Sequence, residues 1–289
     1  MARESPPTSR AVDVVELLVR ADEGRLQFSD IVRALGASQA TTHAILATLC
    51  ERGWATKDST SKSYRPGPAL RALAAEVHAR DPLAEAAKSV TADLTATLGF
   101  SSSVVERDGN HLTVTAFTRG GNGHRAATAG ERIPYAPPFG AAFAAWAPVD
   151  EQQSWTRRAG GDITVNARLE QILARIRERG FDVDWTTPAL VQAAHLVDLL
   201  DDDGIPPHVR RITDTLIADF TSVGYLSDDD PERAARPVFS ITAPIINTGG
   251  AVAMVIGIHP LRSMDSAEVT EAGRHVMRAA AAINASGIP

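Results

Sequence analysis

Two short helical patterns near the start of the chain restrict its fold more strongly than any feature of composition. Apolar residues at helical spacing predict a first helix over 9–20 and a second helix in FSDIVRALG (28–36). Ser29 is a candidate N-cap of the second helix, and Gly36 stands where a helix commonly ends. A third helical pattern follows directly, which indicates a small helical domain.

The third pattern, SQATTHAILATLCERG (38–53), separates an apolar stripe from a nearly bare face. Ser38 is its candidate N-cap, and Gly53 is placed to end it. The stripe contains Ile45, Leu46 and Leu49, and Thr42 lies close to it on a helical wheel. The opposite face carries Ala40, His43, Ala44 and Ala47. A helix with so little bulk on one face is suited to approach another surface closely.

A β-hairpin is predicted after the third helix, with strands at 54–57 and 62–65 and a polar turn between them. The order of three helices and a hairpin is the layout of a winged helix-turn-helix, whose third helix enters the major groove of DNA. Winged helices also serve as protein-interaction modules. Packing of the alanine face against another subunit therefore stays open as the alternative.

The DNA interpretation gives a role to the outer residues of the third helix and the hairpin. Alanine methyl groups can touch thymine methyl groups, and Gln39 can pair with adenine. Thr41 and His43 can reach bases or phosphates, while the hairpin lysines suit phosphate contacts that position the protein. The predicted DNA-binding residues are Ser38, Gln39, Ala40, Thr41, Thr42, His43, Lys57 and Lys62.

Charge is divided unevenly along the 289 residues, a length that predicts two domains. Residues 1–80 hold 11 Lys and Arg against 9 Asp and Glu, a net charge of +2. The remaining residues hold 18 Lys and Arg against 26 Asp and Glu, a net charge of −8. This division permits nucleic-acid binding by the N-terminal part without proving it.

The rest of the chain predicts an α+β domain, in which helices flank an antiparallel sheet. A helix over 67–80 is predicted to link this domain to the first. Strands are predicted at 100–106, 111–118, 238–246 and 251–259, and helices at 82–99, 139–147, 167–179 and 265–285.

Five segments, in their order along the chain, resemble the IclR family of bacterial transcriptional regulators. The segment 37–67 is similar to the family's recognition helix and wing, through Thr41, Thr42, His43, Ile45, Leu46, Gly53, Tyr64 and Gly67. The other four resemble segments of the family's effector-binding domain: TLGFSSSVVERDG (97–109), AGERIPYAPPFGAAFAAW (129–146), ILARIRERGFDVD (172–184) and ITAPIINTGGAVAMVIGIHP (241–260).

This resemblance implies a winged helix-turn-helix domain over 1–66, a linker helix over 67–81 and a GAF-like effector-binding domain over 82–289. One departure concerns the recognition helix, where the family usually carries an arginine and this chain has Ala44. The change removes a contact to phosphate or guanine. We therefore expect weak operator affinity or an unusual recognised sequence.

A second departure is the stretch 180–240, which is longer than the family norm and holds a predicted helical insert at about 186–236. Within the insert, His195, Asp198 and His208 make a metal site conceivable. Ordinary surface or core positions are the favoured interpretation, because no closing ligand motif accompanies them. No metal or other cofactor is predicted, and the insert is expected to cover the sheet or mediate self-association.

The resemblance also implies a small-molecule effector site between the sheet and the segment around Gly-Glu-Arg-x-Pro. Pro137 and Pro138 remove two N–H donors from that segment. Ile256 and Ile258 are matched to positions where members that sense small organic acids carry polar side chains. Both changes predict an apolar or aromatic effector. The predicted pocket residues are Phe100, Ser102, Tyr135, Phe139, Phe143, Ala243, Ile256 and Ile258, with plain core packing as the alternative for each apolar one.

Other classes of protein are not indicated. The chain has no GxSxG, P-loop or HExxH motif, so neither an enzyme nor catalytic residues are expected. Its one cysteine, Cys50, leaves no internal disulfide framework. The longest apolar run (249–258) is too short to span a membrane, and no signal-peptide core opens the chain. A cytoplasmic protein with no membrane partner is expected.

The sequence thus predicts a ligand-responsive transcriptional regulator of a catabolic or metabolic operon. It is expected to bind double-stranded operator DNA as a homodimer or homotetramer, and to respond to a small-molecule effector. Repression and activation both stay open. The alternative is a ligand-sensing or scaffold protein that has lost specific DNA binding, which Ala44 favours.

Overall fold

The N-terminal patterns form the predicted helices and hairpin in the computed structural model, which describes residues 5–21, 24–121, 127, 129–160, 163–186 and 235–285. The chain divides into two units, Met1–Pro82 and Leu83–Pro289. The elements of the first unit are α1 (Pro6–Arg20), α2 (Phe28–Leu35), α3 (Gln39–Glu51), β1 (Ala55–Lys57), β2 (Tyr64–Pro66) and α4 (Pro68–Ala79).

Three helices and the hairpin of this unit share one apolar core. Its buried members are Val14, Leu18, Ile31, Leu46, Leu49, Ala55 and Tyr64. The hairpin is joined to the helices through Leu26 and Tyr64, whose backbones exchange hydrogen bonds of 2.8 and 2.7 Å. The winged helix-turn-helix prediction is confirmed.

Three local predictions in this unit need correction. The first helix begins at Pro6 rather than at residue 9, because prolines are accommodated in a first turn whose N–H groups have no helical partner. Ser29 does not cap α2. The N-cap is Gln27, which has extended backbone angles and whose carbonyl accepts the amides of Asp30 and Ile31 at 3.1 and 3.2 Å.

The second hairpin strand begins at Tyr64, two residues later than predicted. The turn extends this far because Asp58 Oδ1 accepts the amides of Thr60 and Ser61 at 2.9 and 2.7 Å, and Lys62 takes a positive φ of 57°. These contacts fix the tip of the wing.

The second unit contains a seven-stranded antiparallel sheet in the order β5-β4-β3-β8-β7-β6, with β9 also paired to β7. Its elements are α5 (Pro82–Leu98), β3 (Ser101–Asp108), β4 (His111–Thr118), β5 (Arg132–Pro134), α6 (Ala141–Ala144), α7 (Val149–Arg157), α8 (Ile163–Arg179), β6 (Asp182–Trp185), β7 (Arg236–Ile246), β8 (Val252–His259), β9 (Arg262–Met264) and α9 (Ser266–Ala285).

This architecture confirms the α+β prediction, and the four predicted strands are present as β3, β4, β7 and β8. The short strands β5, β6 and β9 were not predicted, and the helix expected at 139–147 is only the four-residue α6. Residues 187–234 of the predicted insert, with His195, Asp198 and His208, lie outside the described residues.

The two faces of the sheet are packed by different helices. We call one the α5/α9 face, because apolar residues of α5 and α9, such as Leu94 and Val276, share a core with Ile256 and Ile258. We call the other the α6 face, because the buried α6 packs on β7 and β8 there, in a second core that includes Val255. Successive residues of a strand point to opposite faces.

Candidate nucleic-acid interface and ligand site

The outer surface of α3 has the character that the sequence predicts. The four residues assigned to the bare face are all exposed: Ala40, His43, Ala44 and Ala47. On the opposite side Leu46 and Leu49 are buried in the core of the first unit, and Ile45 is half-buried. The helix therefore presents a flat surface of small side chains, with a diameter that fits a major groove.

The start of α3 is fixed by its N-cap. The Ser38 hydroxyl accepts the Thr41 amide at 3.2 Å and lies 2.9 Å from the Thr41 hydroxyl. The first turn holds no acidic residue, so the partial positive charge of the helix N-terminus is not neutralised there. Gln39 is exposed at this end, where the residues of a recognition helix that contact bases usually lie.

Thr42 is a correction to the predicted DNA-binding residues. Its side chain is fully buried, and its hydroxyl donates to the Ser38 carbonyl at 3.1 Å. It therefore helps to join α3 to the core and does not face a partner. His43, by contrast, is exposed, with its ring centroid 6.4 Å from that of Phe28 in an edge-on arrangement.

The hairpin adds exposed cations beside this surface. Lys57 and Lys62 are both exposed, and Lys57 Nζ lies 5.4 Å from the centroid of the buried Tyr64 ring. Arg65 is exposed as well, opposite Thr56 on the hairpin, and was missed from the sequence. Strand alternation around the buried Tyr64 was the signal that would have found it.

The eight residues predicted to line one effector pocket do not lie together. Those assigned to the α5/α9 face are Phe100, Ser102, Ala243, Ile256 and Ile258, and those in the core beside α6 are Tyr135, Phe139 and Phe143. The two groups belong to different cores on opposite faces of the sheet, so they do not share one cavity. The predicted pocket is wrong in this respect, because strand register decides which residues share a face.

Tyr135 is also a structural residue rather than a pocket wall. Its ring is fully buried, with the guanidinium carbon of Arg107 4.0 Å from its centroid. The Tyr135 carbonyl accepts Arg158 Nη1 at 2.8 Å, and Arg107 also pairs with Glu151. Burial raises the pKa of the Tyr135 hydroxyl above its usual range. These contacts show that the Tyr135 side chain is part of the packed core.

The α6 face instead carries a group of polar side chains that the sequence analysis did not single out. We call this group the polar cluster: Ser101, Ser103, Asp182, Asp184, Ser240, Thr242 and His259. Hydrogen-bonded strand pairs place Asp182, Thr242, Gly257 and Ser103 in one row across four strands, and Phe117 of β4 continues it. Ile256 and Ile258 point away from this row, whereas Gly257 and His259 belong to its face.

His259 is the most constrained member of the polar cluster. It is 6% exposed, and its Nε2 lies 2.9 Å from the Ser103 hydroxyl. Among the described residues, nothing hydrogen-bonds its Nδ1. Burial lowers its pKa to about 4, so the ring is neutral near pH 7. The rings of Phe117 and Phe239 stand beside it, with centroid separations of 6.1 and 5.9 Å.

The acidic end of the polar cluster lies on β6. The Ser240 hydroxyl donates to Asp184 Oδ2, and Asp182 pairs with Arg179 at 3.6 Å. Burial and the nearby Asp182 carboxylate raise the pKa of Asp184. Burying so many polar groups costs free energy that an apolar sheet face would avoid, so such a group is a candidate ligand site.

Metal binding finds no support in the part of the chain that the structure describes, where no three His, Cys, Asp or Glu side chains are placed so that they could hold a metal ion. None of the described helices is long and apolar enough to cross a membrane.

Comparison with known proteins finds a family match within the first unit. Residues 7–59 match the IclR helix-turn-helix domain. Over 73 residues the chain is 38% identical to the glycerol operon regulatory protein of Streptomyces coelicolor, and the alignment covers 25% of this chain and 28% of that protein. The match thus spans little more than a quarter of the curated relative.

Solved structures match over nearly the whole chain. IclR of Thermotoga maritima aligns with a TM-score of 0.62 at 15% identity, covering 98% of both chains. An IclR homologue of Microbacterium hydrocarbonoxydans, solved with 4-hydroxybenzoate, aligns with a TM-score of 0.60 at 16% identity, covering 97% of this chain and 98% of that one. At these identities the likeness establishes the fold.

Proposed function

Since this chain has an IclR helix-turn-helix domain at residues 7–59 and the fold of IclR regulators throughout, we propose that it is a ligand-responsive, DNA-binding transcriptional regulator. The observation that carries the proposal is the exposed, small-residue face of an α3 that is capped and packed as a recognition helix. This assignment agrees with the expectation that the protein is not an enzyme, because the proteins it matches are regulators.

The proposed DNA surface consists of α3 and the wing. Ser38, Gln39, Ala40, Thr41 and His43 form the α3 part, where Gln39 and His43 are the residues with polar groups long enough to reach base edges. The wing contributes Lys57, Lys62 and Arg65, whose positive charges suit phosphates and release counterions on binding. Ala44 leaves the α3 part of this surface without an arginine, so base reading by the helix depends on Gln39 and His43.

We propose that the protein acts as a homodimer or homotetramer on two half-sites separated by one or more helical turns. Self-association is supported by exposed large apolar side chains in the first unit: Val12, Val19, Leu73 and Val77. A catabolic or metabolic operon is the proposed target, with the glycerol operon regulatory protein as supporting precedent.

The effector site is proposed to be the polar cluster on the α6 face, in place of the eight residues that the sequence suggested. The argument for an apolar effector from Ile256 and Ile258 is lost, since both pack on the α5/α9 face. An aromatic effector is still supported, because Phe117 and Phe239 stand beside His259. The bound 4-hydroxybenzoate of the Microbacterium homologue is a precedent for a small aromatic ligand on this fold.

DNA binding is tested with duplexes from the region upstream of the protein's own coding sequence, measured by fluorescence anisotropy at a stated salt concentration. The full chain is expected to prefer at least one such duplex over a shuffled sequence of equal length by about 1,000-fold or more. Equal affinity for both would contradict the proposal. It would favour a ligand-sensing or scaffold protein that no longer reads DNA.

A further inference from the structure

Two buried polar atoms, one on the α6 face and one just beyond the end of β6, have hydrogen-bonding capacity that the described residues do not use. His259 Nδ1 lies in a side chain that is 6% exposed, and Thr186 Oγ1 follows Asp184 two residues beyond it along the chain. Buried polar atoms are nearly always paired, so an unpaired one on a candidate site is an opening for a ligand atom. The neutral ring of His259 presents either one N–H donor or one acceptor there.

The charges on this face make it unsuited to an anion. Asp182 and Asp184 both belong to the polar cluster, and the cation that faces them, Arg179, is already paired with Asp182 at 3.6 Å. The Asp184 carboxyl is held by the Ser240 hydroxyl. A carboxylate entering the site would be desolvated beside the Asp182 carboxylate, whose described partner Arg179 is already engaged.

The walls of the site suit a flat ring. Phe117 and Phe239 are half-buried, and the ring of each lies beside the His259 imidazole. Gly257, the strand partner of Thr242, adds no side chain to this face, and a Cβ there would lie 2.5 Å from Thr242 Cγ2. Aromatic rings gain from edge and offset contacts of this kind.

We infer that the α6 face binds an uncharged, hydroxyl-bearing aromatic compound, whose hydroxyl groups pair with His259 Nδ1 and with the Asp184–Ser240 pair. This inference rests on the proposed function, since it takes the polar cluster to be the effector site. It adds the chemical class of the effector and excludes aromatic acids as the preferred ligands.

Isothermal titration calorimetry on the full chain tests this with two ligands of nearly equal shape, 4-hydroxybenzyl alcohol and 4-hydroxybenzoate. Catechol and benzoate form a second neutral and anionic pair. Each neutral compound is expected to bind at least about tenfold more tightly than its anionic counterpart. Tighter or equal binding of the acids, or no binding of either neutral compound, overturns the inference.

Two substitutions localise the site. Thr242→Lys places a cation in the row beside Gly257 and is expected to raise the affinity for 4-hydroxybenzoate about tenfold or more, whereas Thr242→Val is not. His259→Phe removes the unpaired Nδ1 and is expected to weaken 4-hydroxybenzyl alcohol binding about tenfold, while Ile256→Val on the opposite face leaves it unchanged.

Circular dichroism and thermal midpoints of each variant separate loss of fold from loss of binding. Unchanged ligand affinities in folded Thr242→Lys and His259→Phe would place the ligand elsewhere and overturn the inference. DNA binding by the same preparations is measured in parallel. Loss of sequence-selective DNA binding with intact preference for neutral ligands would refute the proposed regulator, while normal DNA binding with preference for acids would refute only the ligand class.

Discussion

On α3 the candidate DNA surface consists of small exposed side chains, whereas most side chains of the polar cluster in the second unit are buried within the sheet face. Ala44 and Ala47 are open to solvent and contribute little to packing. Ser103 and His259 bond to each other in an almost closed environment. The open surface fits a large partner that brings its own charges, and the closed one fits a small molecule that completes hydrogen bonds.

The difference also determines how substitutions act. A change on the outer face of α3 alters what the helix can approach while the core of Leu46 and Leu49 stays intact. We expect a change in the polar cluster to alter both the proposed ligand binding and the stability of the second unit, because these side chains are part of a packed sheet face. Substitutions in the two regions therefore separate binding effects from folding effects.

The largest effect on binding is expected from Ala44→Glu. A carboxylate on the groove-facing side of α3 would repel phosphates and collide with base edges, so affinity for the preferred duplex falls by about 100-fold or more. Ala92→Glu makes the same charge change on an exposed position of α5 and should leave DNA binding within about twofold. Similar anisotropy curves for both variants would remove α3 from the DNA interface.

The next effect concerns Gly257. Its replacement by alanine puts a Cβ 2.5 Å from Thr242 Cγ2 and 2.9 Å from the Ile241 carbonyl, which overpacks the α6 face. We expect the second unit to lose about 1–3 kcal/mol in urea unfolding. Gly121→Ala, where no atom lies within 4 Å of the added Cβ, is the matched control. Equal stability of the two variants would show that the row across the sheet is loosely packed.

A smaller effect is expected at single contact residues of the DNA surface. Gln39→Ala should cost about 1–3 kcal/mol on the preferred duplex and relax discrimination at one base pair. Lys62→Ala should weaken binding to all sequences alike and reduce the slope of log affinity against log salt by about 1. Competition with duplexes mutated one base pair at a time distinguishes the effect of Gln39→Ala from that of Lys62→Ala. Unchanged base discrimination in Gln39→Ala would mean that another residue reads the DNA.

The smallest effect is a pH dependence carried by Asp184. Its raised pKa means that the folded state binds its proton more tightly than the unfolded chain does, so stability falls as the pH rises from about 4 through the folded pKa. His259, with its lowered pKa, acts in the opposite direction, but only between about 4 and 6.5.

Between about pH 6.5 and 8.5, therefore, only Asp184 of these two residues changes the stability with pH. Asp184→Asn should gain stability relative to the unsubstituted protein across this window, by an amount on the order of 1 kcal/mol. Thermal midpoints at several pH values measure the difference. Parallel pH profiles for the two proteins would show that Asp184 is ionised throughout the window.

The sequence predicted α3 well because the two faces of a surface helix differ in composition, and this difference repeats at helical spacing. Leu46 and Leu49 are buried and Ala44 and Ala47 are exposed, as the periodicity of 3.6 requires. Thr42 was misassigned because helical position alone does not say that its hydroxyl bonds the Ser38 carbonyl. This hydrogen bond lies within the first turn of α3. The position of Thr42 beside the apolar stripe was the signal in the sequence that it would be buried.

The candidate ligand site could not be predicted in the same way. The strand that carries Ile256, Gly257 and Ile258 is covered on both faces, so it is apolar throughout and gives no alternation from which to assign faces. Only the register with β3 places Gly257 beside Ser103 and His259 beside Ser101. The motif DVD in β6, with two acids flanking a buried valine, was a signal for the acidic end that the analysis of motifs passed over.

The central claim is that ligand binding at the polar cluster and DNA binding by α3 are coupled. The most direct test measures affinity for the preferred duplex with and without saturating 4-hydroxybenzyl alcohol, in the unsubstituted protein and in His259→Phe. We predict a change of about 5-fold or more, in either direction, that His259→Phe abolishes. An affinity that stays the same while the ligand is bound would contradict the claim.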